Sequence, residues 1–111
     1  MEIDPAIHAP ARLQIVSLLA AVEEAEFSFV RDQAGVSDSV LSKHASALET
    51  IGYVQIRKGH VGKRPRTWLR LSATGRRAYL AHVAALQAII AQSKLGLVLD
   101  AELSPGERSE R

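Results

Sequence analysis

Residues 29 to 71 constrain the fold of this chain most tightly. They set out, in order, a short helical segment, a glycine stop at Gly35, a second helical segment with a small polar outer face, another stop at Gly52, and a hairpin tipped with Lys and Arg. Glycine supplies cheaply the positive φ that ends a helix, so each stop fixes a sharp corner. Two helices joined by so short a turn must cross, and the second keeps one side in the core and the other in solvent. A short helix, a tight turn, a helix with a hydroxyl-rich outer face and a basic hairpin suit insertion into a DNA major groove, with the hairpin on the flank.

The rest of the 111 residues frames that unit as one domain with one modest core. A first helix is predicted from about Ala9 to Glu24, with Pro10 in its first turn and Leu13, Val16 and Leu19 on its apolar stripe. Phe27 is expected to bridge to the hairpin, and Ser28 to cap a second helix over Phe29–Ala34. Ser37 caps a third helix, 37–51, with Asp38 favourably placed at its N-terminal dipole. Strands are predicted at Tyr53–Arg57 and Thr67–Leu71, with a flexible tip, 58–66, between them. Ser72 caps a last helix, 73–93. The domain is read as 1–93 and the remainder, 94–111, as an extension whose charged, Pro- and Gly-containing tail is expected to be disordered. The fold class is α+β, mostly helical.

Charge is distributed unevenly. Residues 1–35 carry two Arg against six carboxylates, a net of −4, whereas residues 36–82 carry nine Lys or Arg against Asp38 and Glu49, a net of +7. A basic face on a near-neutral chain is the footprint of a phosphate partner, and the alternative is a solvated basic surface. With no Cys, disulfides and thiolate metal sites are excluded, and the four scattered His give no ligand spacing, so no metal or other cofactor is expected. No apolar run approaches the about eighteen residues of a membrane span, and the acidic start lacks a signal-peptide pattern. A cytoplasmic protein without a membrane partner is expected. No nucleophile elbow, catalytic carboxylate pair or phosphate-binding Gly-rich loop is present, so no enzyme is expected.

In the third helix Leu41, Ala45, Leu48 and Ile51 form the core stripe. The outer face presents Ser37, Asp38, Ser39, Val40, Ser42, Lys43 and Ser46. Small hydroxyls let a helix sit deep in a groove and bond base edges or phosphates, and Lys43 reaches a phosphate or a guanine edge. Val40 either touches a thymine methyl or packs on the second helix. His44 either bonds a phosphate or packs against the hairpin. The hairpin adds Lys58, His60, Lys63, Arg64 and Arg66, and Pro65 holds the two flanking guanidinium groups on extended backbone, as a minor groove would take them. Arg70, Arg76 and Arg77 serve either flanking phosphates or internal salt bridges to Glu49 and the first helix. Trp68 reads as a packing residue.

Tyr79, Val83, Leu86 and Ile90 recur at spacings of four, three and four, a heptad-like seam. It points to a second copy of the chain, the alternative being packing within one chain. A cleft near Leu13, Trp68, Tyr79 and Val83 is the place the sequence offers for a small-molecule effector, though nothing polar converges there.

On the stretches Ile7–Leu19, Val36–Val54 and Lys58–Ala78 the chain resembles the winged helix-turn-helix regulators of bacteria and archaea, of the MarR and ArsR-like groups. It is most similar to a compact winged helix DNA-binding domain family. The resemblance implies a two-stranded basic wing, a C-terminal dimerisation helix, a homodimer and a double-stranded DNA partner. It implies DNA contacts from Ser39, Val40, Ser42, Lys43, Arg64 and Arg66. The function so implied is sequence-specific transcriptional regulation. The competing readings are a protein-interaction module on the same fold and an RNA- or single-strand-binding winged helix; few exposed aromatics argue against the last.

Overall fold

The computed structural model describes residues 3–93. The expected C-terminal extension and its tail lie outside the described residues. The elements are α1 (Pro5–His8), α2 (Pro10–Ala20), β1 (Ala25–Glu26), α3 (Phe27–Ala34), α4 (Asp38–Thr50), β2 (Val54–Val61), β3 (Arg64–Leu71) and α5 (Ala73–Gln92).

The first helix expected over Ala9–Glu24 starts at Pro10, as α2, and a separate helical turn, α1, precedes it. Ala9 sits at φ −56°, ψ 135°, outside helical space, because the Pro10 ring disfavours the helical region for the residue before it. The chain therefore breaks there, and Asp4 caps the extra turn, its Oδ1 accepting from the Ala6 N–H at 2.9 Å. The far end of α2 also comes early, at Ala20. There Arg76 Nη1 donates to the Ala20 carbonyl at 2.8 Å and satisfies one of the acceptors a helix end leaves open.

The short bridge expected at Phe27 lies just before it. Ala25 and Glu26 pair with Leu69 and Trp68, and Phe27 already opens α3. Ser28 is thus inside the helix, and the N-cap position falls to Glu26. Gly35 ends α3 at φ 68°, its N–H bonding the Arg31 carbonyl at 2.9 Å while the Val36 N–H returns to the same carbonyl. Ser37 Oγ accepts from the Val40 N–H at 3.2 Å and starts α4 as predicted.

The wing is longer and more regular than expected. β2 and β3 pair in register from Val54↔Leu71 out to Val61↔Arg64, and a two-residue loop, Gly62–Lys63, closes the hairpin. The supposed flexible tip is ladder almost to its end. Three antiparallel strands lie in the order β1-β3-β2.

One core joins the layers: Ile15, Val16 and Leu19 from α2, Val30 from α3, Leu41, Ala45 and Leu48 from α4, and Val54, Leu69 and Leu71 from the sheet. The spacing of Leu41, Ala45 and Leu48 puts them on one helical face. Truncating a fully buried Leu48 to Ala costs about 2–5 kcal/mol by this kind of packing. Ile51 does not join the stripe; α4 stops at Thr50, and Ile51 is 46% exposed.

Candidate nucleic-acid interface

The outer face of α4 is built as the sequence implies. Ser37, Asp38, Ser39, Val40, Ser42, Lys43 and Ser46 are all exposed. Val40 stands 39% exposed beside the serines. Asp38 is not free: its Oδ1 accepts from Arg31 Nη1 at 2.8 Å, and Arg31 Nε also holds Asp32 at 2.9 Å. The hydrogen bond to Asp32, then that to Asp38, push the Arg31 guanidinium further up from its already high range. This clamp ties the end of α3 to the first turn of α4.

His44 has a partner within the chain that the sequence did not suggest. Its Nδ1 accepts from Arg12 Nε at 3.1 Å, which turns the ring toward α2. Burial, then the charges of Arg12 and Lys43, hold its pKa below the usual imidazole value.

The pleat of the wing divides its cations. Side chains alternate between faces along a strand, so Lys58 and Thr67, paired across the hairpin, share the face of Val54, Ile56 and Leu69. Arg57, Arg64, Arg66 and Arg70 share the other face with Trp68. On the first face Lys58 and Thr67 meet Ser42 and Ser46 of α4 around a cleft of about 230 Å³ floored by Phe27, Ala45, Ile56 and Leu69. Helix and wing thus bring three residues singled out by sequence, Ser42, Ser46 and Lys58, to one groove.

The second face is partly neutralised. Arg57 lies 4.0 Å over the Trp68 ring and bonds Glu24 through Nε at 3.0 Å and Nη2 at 2.8 Å. The Arg57 hydrogen bond keeps the Glu24 carboxyl below the ordinary carboxylate range, against a smaller opposing effect of desolvation. Arg66 Nη1 bonds Glu26 at 2.7 Å. Arg64 lines a neighbouring groove of about 410 Å³ with Arg66 at the start of α3. Lys43, Lys58, Lys63 and Arg64 are exposed, and none makes an ion pair among the described residues.

Sequence reasoning missed these internal partners. Glu24 and Glu26 were visible only as acidic charge; their position against the wing depends on the β1–β3 register. Trp68 packs, as expected, with Gly59 beneath its ring: a Cβ there would lie 3.2 Å from Trp68 Cζ3. Of the two roles expected for them, Arg76 has an internal one at the α2 terminus, and Arg70 contributes to the field at Glu24 and makes no ion pair with Glu49 among the described residues.

On α5, Tyr79, Val83 and Leu86 are half-buried within the chain, and Tyr79 packs on the core. Ile90, at 53%, stands exposed with Leu80 at 60% and Ile89 at 55%. The cavities beside Arg64, beside Lys58 and beside His82 are lined by none of Leu13, Trp68, Tyr79 or Val83, the residues around which the sequence suggested an effector cleft. Among the described residues no three His, Asp or Glu stand close enough to hold a metal ion, and no helix is long and apolar enough to cross a membrane.

Residues 11–90, which include α4, the whole wing and most of α5, match the family of winged helix DNA-binding domains. The chain belongs to that family. Over 68 residues this winged helix is 29% identical to a protein of Methanocaldococcus jannaschii, across 61% of this chain and 74% of that one. The transcriptional regulator homologue of Pyrococcus horikoshii superposes with a TM-score of 0.72 at 27% identity, covering 77% of this chain and 84% of its own. A homodimeric winged helix-turn-helix DNA-binding domain from Mycobacterium bovis shares the fold at a TM-score of 0.66 and 22% identity, over 80% and 79% of the two chains.

Proposed function

We propose that this winged helix is a homodimeric, sequence-specific DNA-binding transcriptional regulator. The observation that carries the reading is the groove itself. One exposed helical face of hydroxyls and Lys43 stands beside a wing whose nearest cation, Lys58, has no carboxylate partner among the described residues. α4 enters the major groove with Ser39, Val40, Ser42 and Ser46 toward base edges. Ser37 and Asp38 stand at the helix start, where Asp38 is held by Arg31 and orients rather than binds. Lys43, Lys58, Lys63 and Arg64 take phosphates, and Arg66 joins them once it leaves Glu26.

Two copies would pair through α5, where exposed Leu80 and Ile89 widen the seam of Tyr79, Val83, Leu86 and Ile90. Two α4 helices then reach successive major grooves roughly 34 Å apart on a pseudo-palindrome. The homodimeric state of the Mycobacterium bovis domain supports this arrangement. The test is fluorescence anisotropy on duplex DNA from upstream of the gene, with random duplex as competitor, at about 150 mM salt, where non-specific binding is weak. Tight binding that resists the competitor is expected; equal displacement by random duplex would remove the claim of sequence specificity.

A further inference from the structure

Two imidazoles hold the N-terminal corner of the domain, and both do so as acceptors. The Asp4 main-chain N–H, at the cap of α1, donates to His82 Nδ1 at 3.1 Å. Arg12 Nε donates to His44 Nδ1 at 3.1 Å, and Nη1 of the same guanidinium reaches the Ala6 carbonyl at 3.4 Å. An amide N–H and a guanidinium have only protons to offer, so each ring presents a lone pair at Nδ1 and carries its proton on Nε2. His82 is fully buried, and its Nε2 meets no partner among the described residues. The other ties of α1 are the Tyr53 hydroxyl, which donates to Asp4 Oδ2 at 2.7 Å, and the buried Ile7.

We infer that α1 is a proton-released strap: a proton added at His82 and at His44 turns both acceptors into donors and frees the α1–α2 corner from α5 and α4. An imidazolium has two N–H donors and no acceptor. At His82 the new N–H would point at the Asp4 N–H. At His44 it would point at a guanidinium that stays charged at every working pH.

The surroundings support this pairing of events. Facing His82, α1 supplies Asp4, whose carboxylate is engaged by Ala6 and Tyr53, and His8, whose ring stands edge-on at 5.6 Å. The turn after α4 supplies Tyr53, which shares a cavity of about 330 Å³ with Asp4 and His82. α2 has one charged residue, Arg12, and it is turned to His44. On α5 itself Arg76 and Arg77 bond the Ala20 carbonyl and Thr74 Oγ1, and β3 brings Arg70, whose field falls on Glu24. Around His44 stand Arg12 and, on its own helix, Lys43; α4 also carries Asp38, which Arg31 holds, and Glu49. β2 carries Arg57, Lys58 and His60, and α3 carries Arg31 and Asp32, which pair with each other. The strap is anchored on the helix proposed to read DNA and on the helix proposed to pair two copies. It links proton activity to both, and it stands whether or not the DNA reading does.

Hydrogen exchange on the full chain tests it. The amides of Ile7 and His8 bond the Asp4 carbonyl at 3.0 and 2.9 Å and report on α1. Between about pH 7.5 and about pH 5.5 their protection, corrected for intrinsic exchange, is expected to fall at least about tenfold, while amides of the β2–β3 ladder keep theirs. In the double variant H44Q/H82Q, where amides accept without titrating, α1 protection should not change over that range. Because His82 is buried and its variant risks misfolding, ring ¹⁵N shifts of the unaltered protein give a second measurement. They should show His82 Nδ1 unprotonated at the higher pH and protonated in step with the loss of protection. Unchanged α1 protection across the range overturns the inference. So does a loss that persists in the double variant, or a His82 titration that does not coincide with it.

Discussion

Glu26 holds Arg66 across the sheet: Oε1 accepts from Nη1 at 2.7 Å, with the two side chains 41% and 35% exposed. The acid comes from β1, which pairs with the same strand that carries the basic wing tip. A wing cation proposed to meet a phosphate therefore begins with an internal partner, and DNA must compete with it.

Removing the competitor should strengthen binding. Glu26→Gln is expected to raise affinity for any duplex a few-fold and to steepen the salt dependence by up to about one unit, as one more phosphate is neutralised. Its effect on stability should stay within about 1 kcal/mol, because a half-exposed pair contributes little. Salt titrations of the two proteins on one random duplex decide it. An unchanged slope would mean that Arg66 reaches no phosphate.

Phosphate and base contacts should separate by mutation. Lys58→Ala, Lys63→Ala and Arg64→Ala are each expected to weaken every duplex alike and to flatten the salt slope by about one unit. Ser42→Ala and Val40→Ala should leave that slope in place and shift the preferred bases, by about 1–3 kcal/mol per altered position. Affinity on a set of single-base operator variants, measured at two salt concentrations, reads both effects. Identical losses for all five variants on all duplexes would abolish the assigned division of roles.

Much of this arrangement was legible because it depends on local rules. Ser37 and Ser72 cap α4 and α5 where the sequence places them, and Gly35 and Gly52 stop helices where only positive φ serves. The core stripe of Leu41, Ala45 and Leu48 follows from helical spacing alone. What escaped depends on pairing at a distance. Arg12 and His44 meet only after α2 packs against α4, and Glu24 and Glu26 meet the wing only through a two-residue strand too short to show alternation. His82 looked like one more scattered histidine on an apolar helix; its burial is decided by α1, a turn created by the two prolines Pro5 and Pro10.

Gly75 gives a sharp packing test. It lies in the first turn of α5, and a Cβ there would come within 2.1 Å of the Tyr53 carbonyl oxygen. Replacing a helical Gly by Ala ordinarily stabilises by about 1 kcal/mol. Here the clash with main chain should reverse the sign, costing about 1–3 kcal/mol net. The expected drop in Tm is roughly 4–8 °C for each kcal/mol in a domain of this size. An Ala variant at least as stable as the parent would show that α5 can lift away from the wing without cost.

Acid stability should carry the mark of Glu24. Its carboxyl is held below the ordinary range, chiefly by the hydrogen bond from Arg57. For a group whose folded pKa is depressed, the unfolded chain binds protons first. The contribution is therefore fully present above the unfolded value of about 4.3 and is lost as pH falls through the folded one. Urea midpoints taken from about pH 5.5 to about pH 3 should fall more steeply for the parent than for Glu24→Gln. Parallel curves would mean that the Arg57 bond exerts no net pull in solution.

The last prediction concerns α5, whose apolar side chains outnumber the places the chain has for them. Tyr79, Val83 and Leu86 are half-covered from within, but Leu80, Ile89 and Ile90 are more than half exposed, and each exposed apolar patch on a helix calls for cover. Sedimentation equilibrium at about tens of micromolar should give twice the 12.0 kDa chain mass for the parent. Leu80→Asp and Ile90→Asp should sediment as single chains with unchanged circular dichroism, because both side chains leave the core untouched. The same variants should bind a two-site palindrome more weakly while keeping parental affinity for a half-site, since the avidity of two linked copies is lost and the groove is not. A parent that sediments as one chain at that concentration removes the dimer, and with it the 34 Å spacing expected between the two reading helices.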